Sequence, residues 1–559
     1  MAVLRLGSFA GENRALHPML LPDGVGVTST NQKLGHGDLR PWRAPLNVST
    51  APADTKTIYR MGREVLSDTN YWLTWPQEVH VVRGPNAIDL FERTYYTGAG
   101  TPKWTDNNKA LAALPYPMSA RELGVPAPAT ACLLSNTSGI SPDKESRYYI
   151  YTYVTDADEE SAPSPPSLEL ICSTDANDVQ ISALAQAPAG NYGINRIRIY
   201  RTQTGQSGDT QFFFLLEQLS TLTSAVDDGR RLAEVAPTVD WLTPPADLKW
   251  LTSLWNGMLA GISGRSVRFC ESFKPYAWPL KYEILPTSTT PVALATFGQT
   301  LAVLTDGSPF LITGGSPDAM DEQPMEFKQA CVAPMSAVGM GHGVVWATPD
   351  GLAYVGSGGP RLLTDGIMTR DDWQALNPTS IRACMHEKRY FAFYTQNGVR
   401  KGFMVEPANP QGIFFLDFGV DALYLDDQQD ALYVLDGNNI QKWDGGAGLA
   451  TTFRGKINHL PKPVPSFACG EVIADAYPVT LRVDAVNMNP DEVSRLVLQN
   501  DLLTAPTPTT VRHTVTVLDG NPFRLPGGYM AQDFQLEVVA TGPVQAIAIA
   551  HSMGELGQT

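Results

Sequence analysis

A strand–turn–strand pattern recurs five times between about residues 254 and 443, and it limits the folds open to this chain more than any other feature. Each copy has an apolar strand, a tight turn and a second apolar strand. The copies are separated by 42, 43, 46 and 42 residues when each is marked by one residue early in its first strand: Leu259, Leu301, Val344, Tyr390 and Leu432. This period matches the blade length of a β-propeller.

Four of these copies carry Asp or Asn directly before Gly at the turn: Asp306-Gly307, Asp350-Gly351, Asn397-Gly398 and Asp436-Gly437. Such pairs tolerate the positive φ that a two-residue hairpin turn requires. Repeated hairpins also occur in a meandering β-sandwich, which stays open as an alternative. We predict a propeller-like repeat region over residues 246–449, with at least four of the five marker residues in β-strands and buried.

The rest of the chain also predicts β structure. Short apolar strands and a Pro-rich break between residues 126 and 245 are typical of an immunoglobulin or fibronectin type III sandwich. Residues 450–559 carry further strand candidates and predict a C-terminal β domain, with Asp491–Asn500 as the best helix candidate. Prolines break residues 1–125, which we expect to form an irregular β segment that contacts neighbouring subunits. The predicted fold class is therefore all-β and multidomain.

Composition supports packed domains and argues against tight DNA binding. The 559-residue chain is 43% hydrophobic, and 41 basic against 57 acidic residues give a net charge of −16. Length alone suggests three or four domains. A chain this acidic is a poor candidate for holding DNA by neutralising phosphates.

The six cysteines form no C-x-x-C pair, and we expect them to be small buried residues without disulfides in a protein made in a reducing cytoplasm. The N-terminus lacks the apolar stretch of a secretory signal, and no apolar run approaches the length of a membrane span. We therefore expect no membrane insertion. The cysteines are Cys132, Cys172, Cys270, Cys331, Cys384 and Cys469.

Motifs for catalysis are missing from the sequence. It contains no G-x-S-x-G, H-E-x-x-H or Walker A motif. Two acidic clusters are interpreted as solvated turn carboxylates, with a calcium site as the alternative: Asp156, Asp158, Glu159 and Glu160, and Asp426, Asp427 and Asp430. We assign no catalytic, cofactor-binding or metal-binding residue and predict that the protein is not an enzyme.

Several stretches resemble the tail nozzle, or tail tube terminus and tail stabilisation, proteins of short-tailed bacteriophages. They run through most of the chain, and their order carries the resemblance: Thr30–Pro45, Arg93–Asp106, Ile194–Gly205, Leu251–Pro279 and Asn521–Leu556. The resemblance implies a virion structural protein that forms a ring, commonly sixfold, below an adaptor ring and the portal. It brings no catalytic residues to this sequence.

The resemblance also implies partners and a location. We expect a homo-oligomer, with a hexameric ring favoured, that contacts the adaptor or head-to-tail connector protein, and attachment of tail fibres stays open. Double-stranded DNA would pass through the ring without specific binding, and the protein would be assembled in the host cytoplasm and reside in the virion tail. No channel-lining residue is assigned.

The segment Thr30–Pro45 is the expected contact with the adaptor or a neighbouring subunit. A Pro-rich irregular segment is expected to bury little surface within its own chain, so contacts between chains would give it order. The residues we assign to partner binding are Asn31, Leu34, Leu39 and Trp42.

Two other functions stay open. A phage or cell-surface adhesion protein would recognise a receptor or a glycan, and exposed aromatic residues from Tyr71–Pro76 or from residues 251–279 would then share one pocket. A propeller glycoside hydrolase or lyase would need two converging carboxylates about 5–10 Å apart.

Overall fold

A computed structural model describes residues 3–33, 37–61, 67–86, 88–136, 138–204, 210–286, 288–487 and 509–556. Strands dominate it, and the prediction of an all-β multidomain fold with propeller-like repeats is confirmed. The described α-helices are single short turns: α1 (Asn107–Ala110), α2 (Arg370–Ala375) and α3 (Met553–Leu556). The helix candidate Asp491–Asn500 lies outside the described residues.

The N-terminal 125 residues contribute eleven short strands in the described part. β8 to β11 form a four-stranded antiparallel sheet, and β6 pairs with β7. The strands are β1 (Leu4–Leu6), β2 (Thr28–Thr30), β3 (Gln32–Lys33), β4 (Arg40–Pro41), β5 (Leu46–Thr50), β6 (Thr57–Arg60), β7 (Trp72–Trp75), β8 (His80–Arg83), β9 (Thr94–Thr97), β10 (Lys103–Thr105) and β11 (Arg121–Glu122).

A β-sandwich follows. The three-stranded sheets β12–β16–β19 and β14–β17–β18 enclose a core that includes Tyr149, Tyr151 and Tyr153, and β13 pairs with β15. The strands are β12 (Leu133–Asn136), β13 (Lys144–Arg147), β14 (Tyr149–Thr155), β15 (Leu170–Ser173), β16 (Val179–Ser182), β17 (Ile194–Thr204), β18 (Thr210–Leu219) and β19 (Ala225–Asp227).

The Pro-rich break covers the free edge of β14. Ser161, Ser164 and Ser167 each donate a backbone N–H to the carbonyl of Tyr153, Tyr151 and Tyr149, at 2.8–2.9 Å. The backbone N–H groups of the same tyrosines donate in return to the serine hydroxyls. Because the prolines between the serines have no N–H to leave unpaired, this segment closes a strand edge that would otherwise be open to another chain.

The repeat region consists of consecutive four-stranded antiparallel meanders. Each of the five marker residues lies on the second strand of its meander and is buried. The strands are β20 (Lys249–Ser253), β21 (Leu259–Ser263), β22 (Ser266–Phe269), β23 (Glu283–Ile284), β24 (Pro291–Phe297), β25 (Thr300–Thr305), β26 (Phe310–Thr313), β27 (Asp321–Pro324), β28 (Val338–Gly339), β29 (Gly343–Ala347), β30 (Leu352–Gly356), β31 (Gly359–Leu362), β32 (Arg382–His386), β33 (Arg389–Gln396), β34 (Val399–Val405), β35 (Phe414–Leu416), β36 (Ala422–Asp426), β37 (Ala431–Asp436) and β38 (Asn439–Lys442).

The N-terminal strands complete sheets that lie far away in sequence. β5 pairs with β38 and supplies the fourth strand of the last meander. β2 lies between β35, to which it is parallel, and the C-terminal strand β39, so that one nine-stranded sheet continues from β32 to β42. The C-terminal strands are β39 (Thr451–Pro465), β40 (Cys469–Ala474), β41 (Val479–Asn487), β42 (Thr509–Val517), β43 (Phe523–Arg524), β44 (Met530–Ala540) and β45 (Val544–Ala550).

These long-range pairings divide the chain into two compact units that are discontinuous in sequence. The first unit comprises Met1–Asp54, Val65–Asn70 and Gln329–Thr559, and the second comprises Thr55–Glu64 and Tyr71–Lys328. The four predicted domains are consecutive segments, and their boundaries therefore differ from those of the units. Within the described residues, each unit contains three blade-like meanders, and the second unit also contains the sandwich.

Candidate interaction sites

The described residues contain no arrangement suited to metal or thiol chemistry. No group of three or more His, Cys, Asp or Glu among them is placed to hold a metal ion. The six cysteines are free thiols, and burial raises the pKa of Cys270, Cys331 and Cys384 to about 12. A thiol with so high a pKa is protonated at neutral pH and a weak nucleophile. Within the same residues, no helix has the length and apolar character needed to cross a membrane.

The first acidic cluster is paired with arginines, which corrects the interpretation of Glu159 and Glu160 as solvated turn carboxylates, whereas the side chains of Asp156 and Asp158 are 46% and 76% exposed. Asp156 pairs with Arg121, Asp158 with Arg196, Glu159 with Arg93 and Glu160 with Arg198. The side chains of Glu159 and Glu160 are buried, and Tyr200 also donates to Glu160. In the second cluster Asp426 is buried too, and its Oδ1 accepts from the backbone N–H groups of Gln428 and Gln429.

The arginine network joins the sandwich to the β8–β11 sheet around a buried tryptophan. The side chains of Arg93, Lys109 and Arg121 lie 4.1, 4.8 and 5.7 Å from the ring centroid of Trp104. Arg93 Nη1 donates to Glu159 at 2.7 Å, and the hydrogen bond from Arg121 lowers the pKa of Asp156. The ion pairs therefore hold the inserted sandwich against this sheet, and the cation–π contacts place the two arginines that form them.

The expected partner-binding residues face the interior of their own unit. Asn31, Leu39 and Trp42 are buried, and Leu34 lies outside the described residues. Trp42 packs edge-on against Phe391 and Trp443, with ring centroids 5.7 and 5.4 Å apart. The expectation that Thr30–Pro45 buries little surface within its own chain is wrong for these three residues, because they pack into the interior of the first unit.

The Asn31 side chain helps to hold this segment in place. Its backbone has a φ of 56°, which asparagine tolerates better than most residues. The side-chain Nδ2 donates to the carbonyl of Ala450 at 3.0 Å, and Oδ1 accepts from the N–H of Asp417 at 3.3 Å. The Asn31 side chain therefore provides hydrogen-bond partners for two backbone groups inside the first unit.

The aromatic stretch Tyr71–Pro76 also belongs to a core. Trp72, Leu73 and Trp75 are buried, and Trp75 contacts Tyr96 with ring centroids 5.3 Å apart. Of the two aromatic stretches named for an adhesion role, this one offers no exposed tryptophan.

The second stretch, residues 251–279, does contribute to a pocket. A cavity of about 280 Å³ in the second unit is formed by the β8–β9 loop, the start of α1 and the loop after β22. Its aromatic lining comes from Phe91, Tyr95, Phe273 and Tyr276, and its charged lining comes from Asp89, Arg93 and Asp106. We call this cavity the loop pocket. Sequence reasoning named residues 251–279 but did not identify Phe91, which follows Leu90 in the loop between β8 and β9.

Phe273 is exposed and has a strained backbone. Its side chain is 58% exposed, and its φ of 58° lies in the left-handed region that bulky residues rarely adopt. Its N–H donates to the carbonyl of Gly257 at 2.9 Å. The Phe273 ring packs over Gly257, where a Cβ would come within 2.6 Å of it. The ring is therefore held in place by the loop although most of it faces solvent.

A second exposed apolar surface lies on the sandwich. The side chains of Leu133, Ile140, Leu168 and Ile171 are 59–95% exposed. Leu133 lies on β12, Ile171 lies on β15, and Ile140 and Leu168 lie in the segments that lead into β13 and β15. The N–H of Ile140 donates to Asp175 beyond the end of β15, whereas Leu168 precedes the start of β15, so Ile140 and Leu168 lie at opposite ends of this strand. We call the neighbouring pair Leu168 and Ile171, at the start of β15, the sandwich patch. Clusters of exposed apolar side chains on a folded protein usually mark a contact surface.

Comparison with known proteins gives only distant structural similarity. No protein-family model and no curated protein matches the chain. Among solved structures, PorZ, a surface component of the type-IX secretion system of Porphyromonas gingivalis, shares 12% identity and a TM-score of 0.23 over 59% of this chain and 37% of that chain. The β-propeller domain of the Trilobed protease from Pyrococcus furiosus shares 10% identity and a TM-score of 0.24, over 57% of this chain and 94% of that domain.

The Pan2 WD40 domain of Neurospora crassa shares 7% identity with this chain and a TM-score of 0.24, over 48% of this chain and 86% of that domain. The chain therefore spans little more than a third of PorZ and most of the two propeller domains. Similarity at this level carries no argument about what the chain does.

Proposed function

We propose that this chain is a structural subunit of the tail of a short-tailed bacteriophage, where a homo-oligomeric ring of it forms the nozzle through which the genome leaves. A hexamer is the expected ring, below the adaptor and the portal. The proposal starts from the sequence resemblance across Leu251–Pro279 and Asn521–Leu556. The virion tail is the proposed location, with assembly in the host cytoplasm.

The observation that carries the proposal is the sandwich patch. Leu168 and Ile171 are 83% and 67% exposed, although the neighbouring edge of β14 is closed by the serine segment. Covering these side chains with another subunit removes apolar surface from water, which stabilises association. A ring forms when each copy offers two different complementary surfaces and the rotation closes.

Charge is the second support. The chain carries a net charge of −16, and an acidic surface near DNA repels phosphates. A channel for genome exit needs to let DNA slide without holding it. We therefore propose that DNA passes the ring without specific binding, with the adaptor as a protein partner and tail fibres as possible further partners.

A cross-linking experiment on assembled particles tests the proposal. A photoreactive amino acid at position 171, introduced into the full chain in the phage, should cross-link one copy of the chain to another. The same label at the exposed Val399, outside the sandwich patch, serves as the control. Recovery of no chain-to-chain product from position 171 in intact tails would contradict the proposal.

An adhesion role is the second candidate, and the loop pocket favours it. Phe273 and Tyr276 come from the stretch that an adhesion protein would use, and they share one cavity with Phe91. The protein would then recognise a receptor or glycan through its second unit. A solution binding assay with the isolated chain separates this role from ring formation.

A further inference from the structure

We propose that the loop pocket binds one sugar ring of a neutral polysaccharide. This inference rests on the adhesion candidate above and does not require that the chain form a ring. Three properties of the pocket support it: exposed aromatic rings, the mixture of donors and acceptors in the wall, and the balance of its charges.

The aromatic rings provide a surface for the apolar face of a sugar. Phe91 and Phe273 are 57% and 58% exposed, and both line the pocket. The Phe273 ring lies against Gly257 on a backbone of positive φ and faces the pocket without any ligand bound. A rigid aromatic side chain presents apolar area at little loss of conformational freedom.

The wall offers both kinds of hydrogen-bonding group. Asp89 and Asp106 are acceptors, the Arg93 guanidinium is a donor, and Asn86 provides both. Sugar hydroxyls donate and accept at once, so they fit a wall of this composition. Small-molecule sites commonly combine aromatic lining with a few polar groups that orient the ligand.

The charges of the pocket are largely compensated within the protein. Lys109 Nζ lies 2.5 Å from Asp106 Oδ2, and Arg93 is paired with Glu159. The two oxygens of Asp89 accept from the backbone N–H groups of Phe91 and Arg93, at 2.9 and 2.7 Å. An ion entering the pocket would therefore find little uncompensated charge, which favours a neutral ligand.

The size and position of the pocket suit one residue of a longer chain. A volume of about 280 Å³ is near the lower end of typical small-molecule sites. Because Phe91 and Phe273 are more than half exposed, the pocket opens at the surface. The remainder of a polysaccharide can then continue into solvent on either side.

Affinity electrophoresis of the full chain in gels that contain dextran, mannan or galactan tests the inference. At least one of these neutral polysaccharides should retard the protein. Phe273→Gly should weaken the retardation about tenfold, because it removes the ring. Glycine also accepts the positive φ at this position, so the variant should keep the wild-type thermal transition.

Two variants control for effects other than loss of the ring. Phe273→Tyr keeps an aromatic surface and should be retarded as the wild type is. Leu280→Ala removes an exposed apolar side chain that does not line the pocket, and it should also leave retardation unchanged.

The inference is overturned if none of the three polysaccharides retards the protein, if Phe273→Gly is retarded as strongly as the wild type, or if only a lysine-rich peptide competes for the pocket. None of these results bears on ring formation, which is measured on assembled particles. A failure of the ring proposal would in turn leave the electrophoresis result unchanged.

Discussion

Arg93 Nη1 lies 2.7 Å from the carboxylate of Glu159 and connects the segment before β9 to the turn that follows β14 in the sandwich. Only 4% of the Glu159 side chain is exposed, so its charge depends on this partner. The segments are 66 residues apart in sequence, which is why inspection of the acidic cluster alone suggested solvated carboxylates.

Replacing Arg93 by Met should destabilise the second unit by about 3 kcal/mol, because the change leaves a buried carboxylate without its partner. Urea denaturation at neutral pH measures this loss. The double variant with Glu159→Leu should recover most of the stability, since a buried ion pair can be exchanged for apolar side chains. Arg230→Met, which breaks the exposed Arg230–Asp228 pair, is the matched control and should leave the midpoint unchanged.

The loss of unfolding free energy caused by Arg93→Met should become smaller as the pH falls from neutrality towards the ordinary glutamate pKa. Burial raises the pKa of Glu159, so the folded state binds this proton more tightly than the unfolded state does. Stability linked to the group is therefore fully present below the unfolded pKa and lost as pH rises through the folded pKa. A deficit that does not change with pH in that window would contradict the assignment of Glu159 as the uncompensated group.

Trp42→Ala should lower the stability of the first unit by about 3–5 kcal/mol, because the ring is buried against Phe391 and Trp443. The measurement is thermal or urea unfolding of the isolated monomer, and Leu46→Ala at an exposed position is the control. If Trp42→Ala kept the wild-type monomer stability and lost only assembly, the original assignment of Trp42 to partner binding would be restored.

Gly398→Ala should lower the free energy of unfolding by about 1–2 kcal/mol, because the left-handed backbone is unfavourable for a residue with a Cβ. Asn397 and Gly398 form the two-residue turn between β33 and β34 with φ values of 50° and 78°. A Cβ at Gly358, in the turn between β30 and β31, also meets open space, but the φ of that residue is not positive. Gly358→Ala should therefore be neutral, and an equal loss at both positions would contradict the role of φ.

The repeat was the most predictable part of the fold, because its hairpins are local and its second strands are apolar runs that are buried on both faces. Leu259 and Leu432, at the two ends of the pattern, lie on equivalent strands. The β8–β11 meander was missed because the sandwich is inserted between it and the next meander. Its tyrosine pair, Tyr95 and Tyr96, occupies the second strand as the marker residues do.

The backbone conformation of the turns was predicted correctly at some positions and not at others. Asn397-Gly398 adopts two positive φ values, but neither Asp306-Gly307 nor Asp350-Gly351 does. At Gly307 the N–H instead donates to the hydroxyl of Thr305, so a side chain two residues earlier sets the turn. The Asp-Gly or Asn-Gly pair alone therefore does not show which backbone conformation the turn adopts.

The pairing of N-terminal strands with distant sheets was not predictable from local patterns. Trp42 is followed by Arg43 and Ala44 in a Pro-rich segment that looks irregular, and the core that covers it comes from residues more than 340 positions later. The loop pocket was predictable in part, since Phe273 and Tyr276 belong to a stretch already noted for its aromatic residues. Phe91 is far from both in sequence, and only folding brings it into the same cavity.

The sandwich patch should be required for assembly. Leu168→Lys combined with Ile171→Lys places charges where apolar contact is expected, so particles should lack the ring while the purified chain keeps its β-rich circular dichroism spectrum. Val399→Lys, at an exposed position in the first unit, should leave assembly unchanged. Normal particles from the double variant would show that the patch is not a subunit contact.

Electron cryomicroscopy of the mature particle, with this chain marked by a bound antibody fragment, tests the central proposal most directly. We expect a ring of six copies on the tail axis, with a central channel below the adaptor. Finding the chain in a peripheral fibre, or absent from the tail axis, would contradict it.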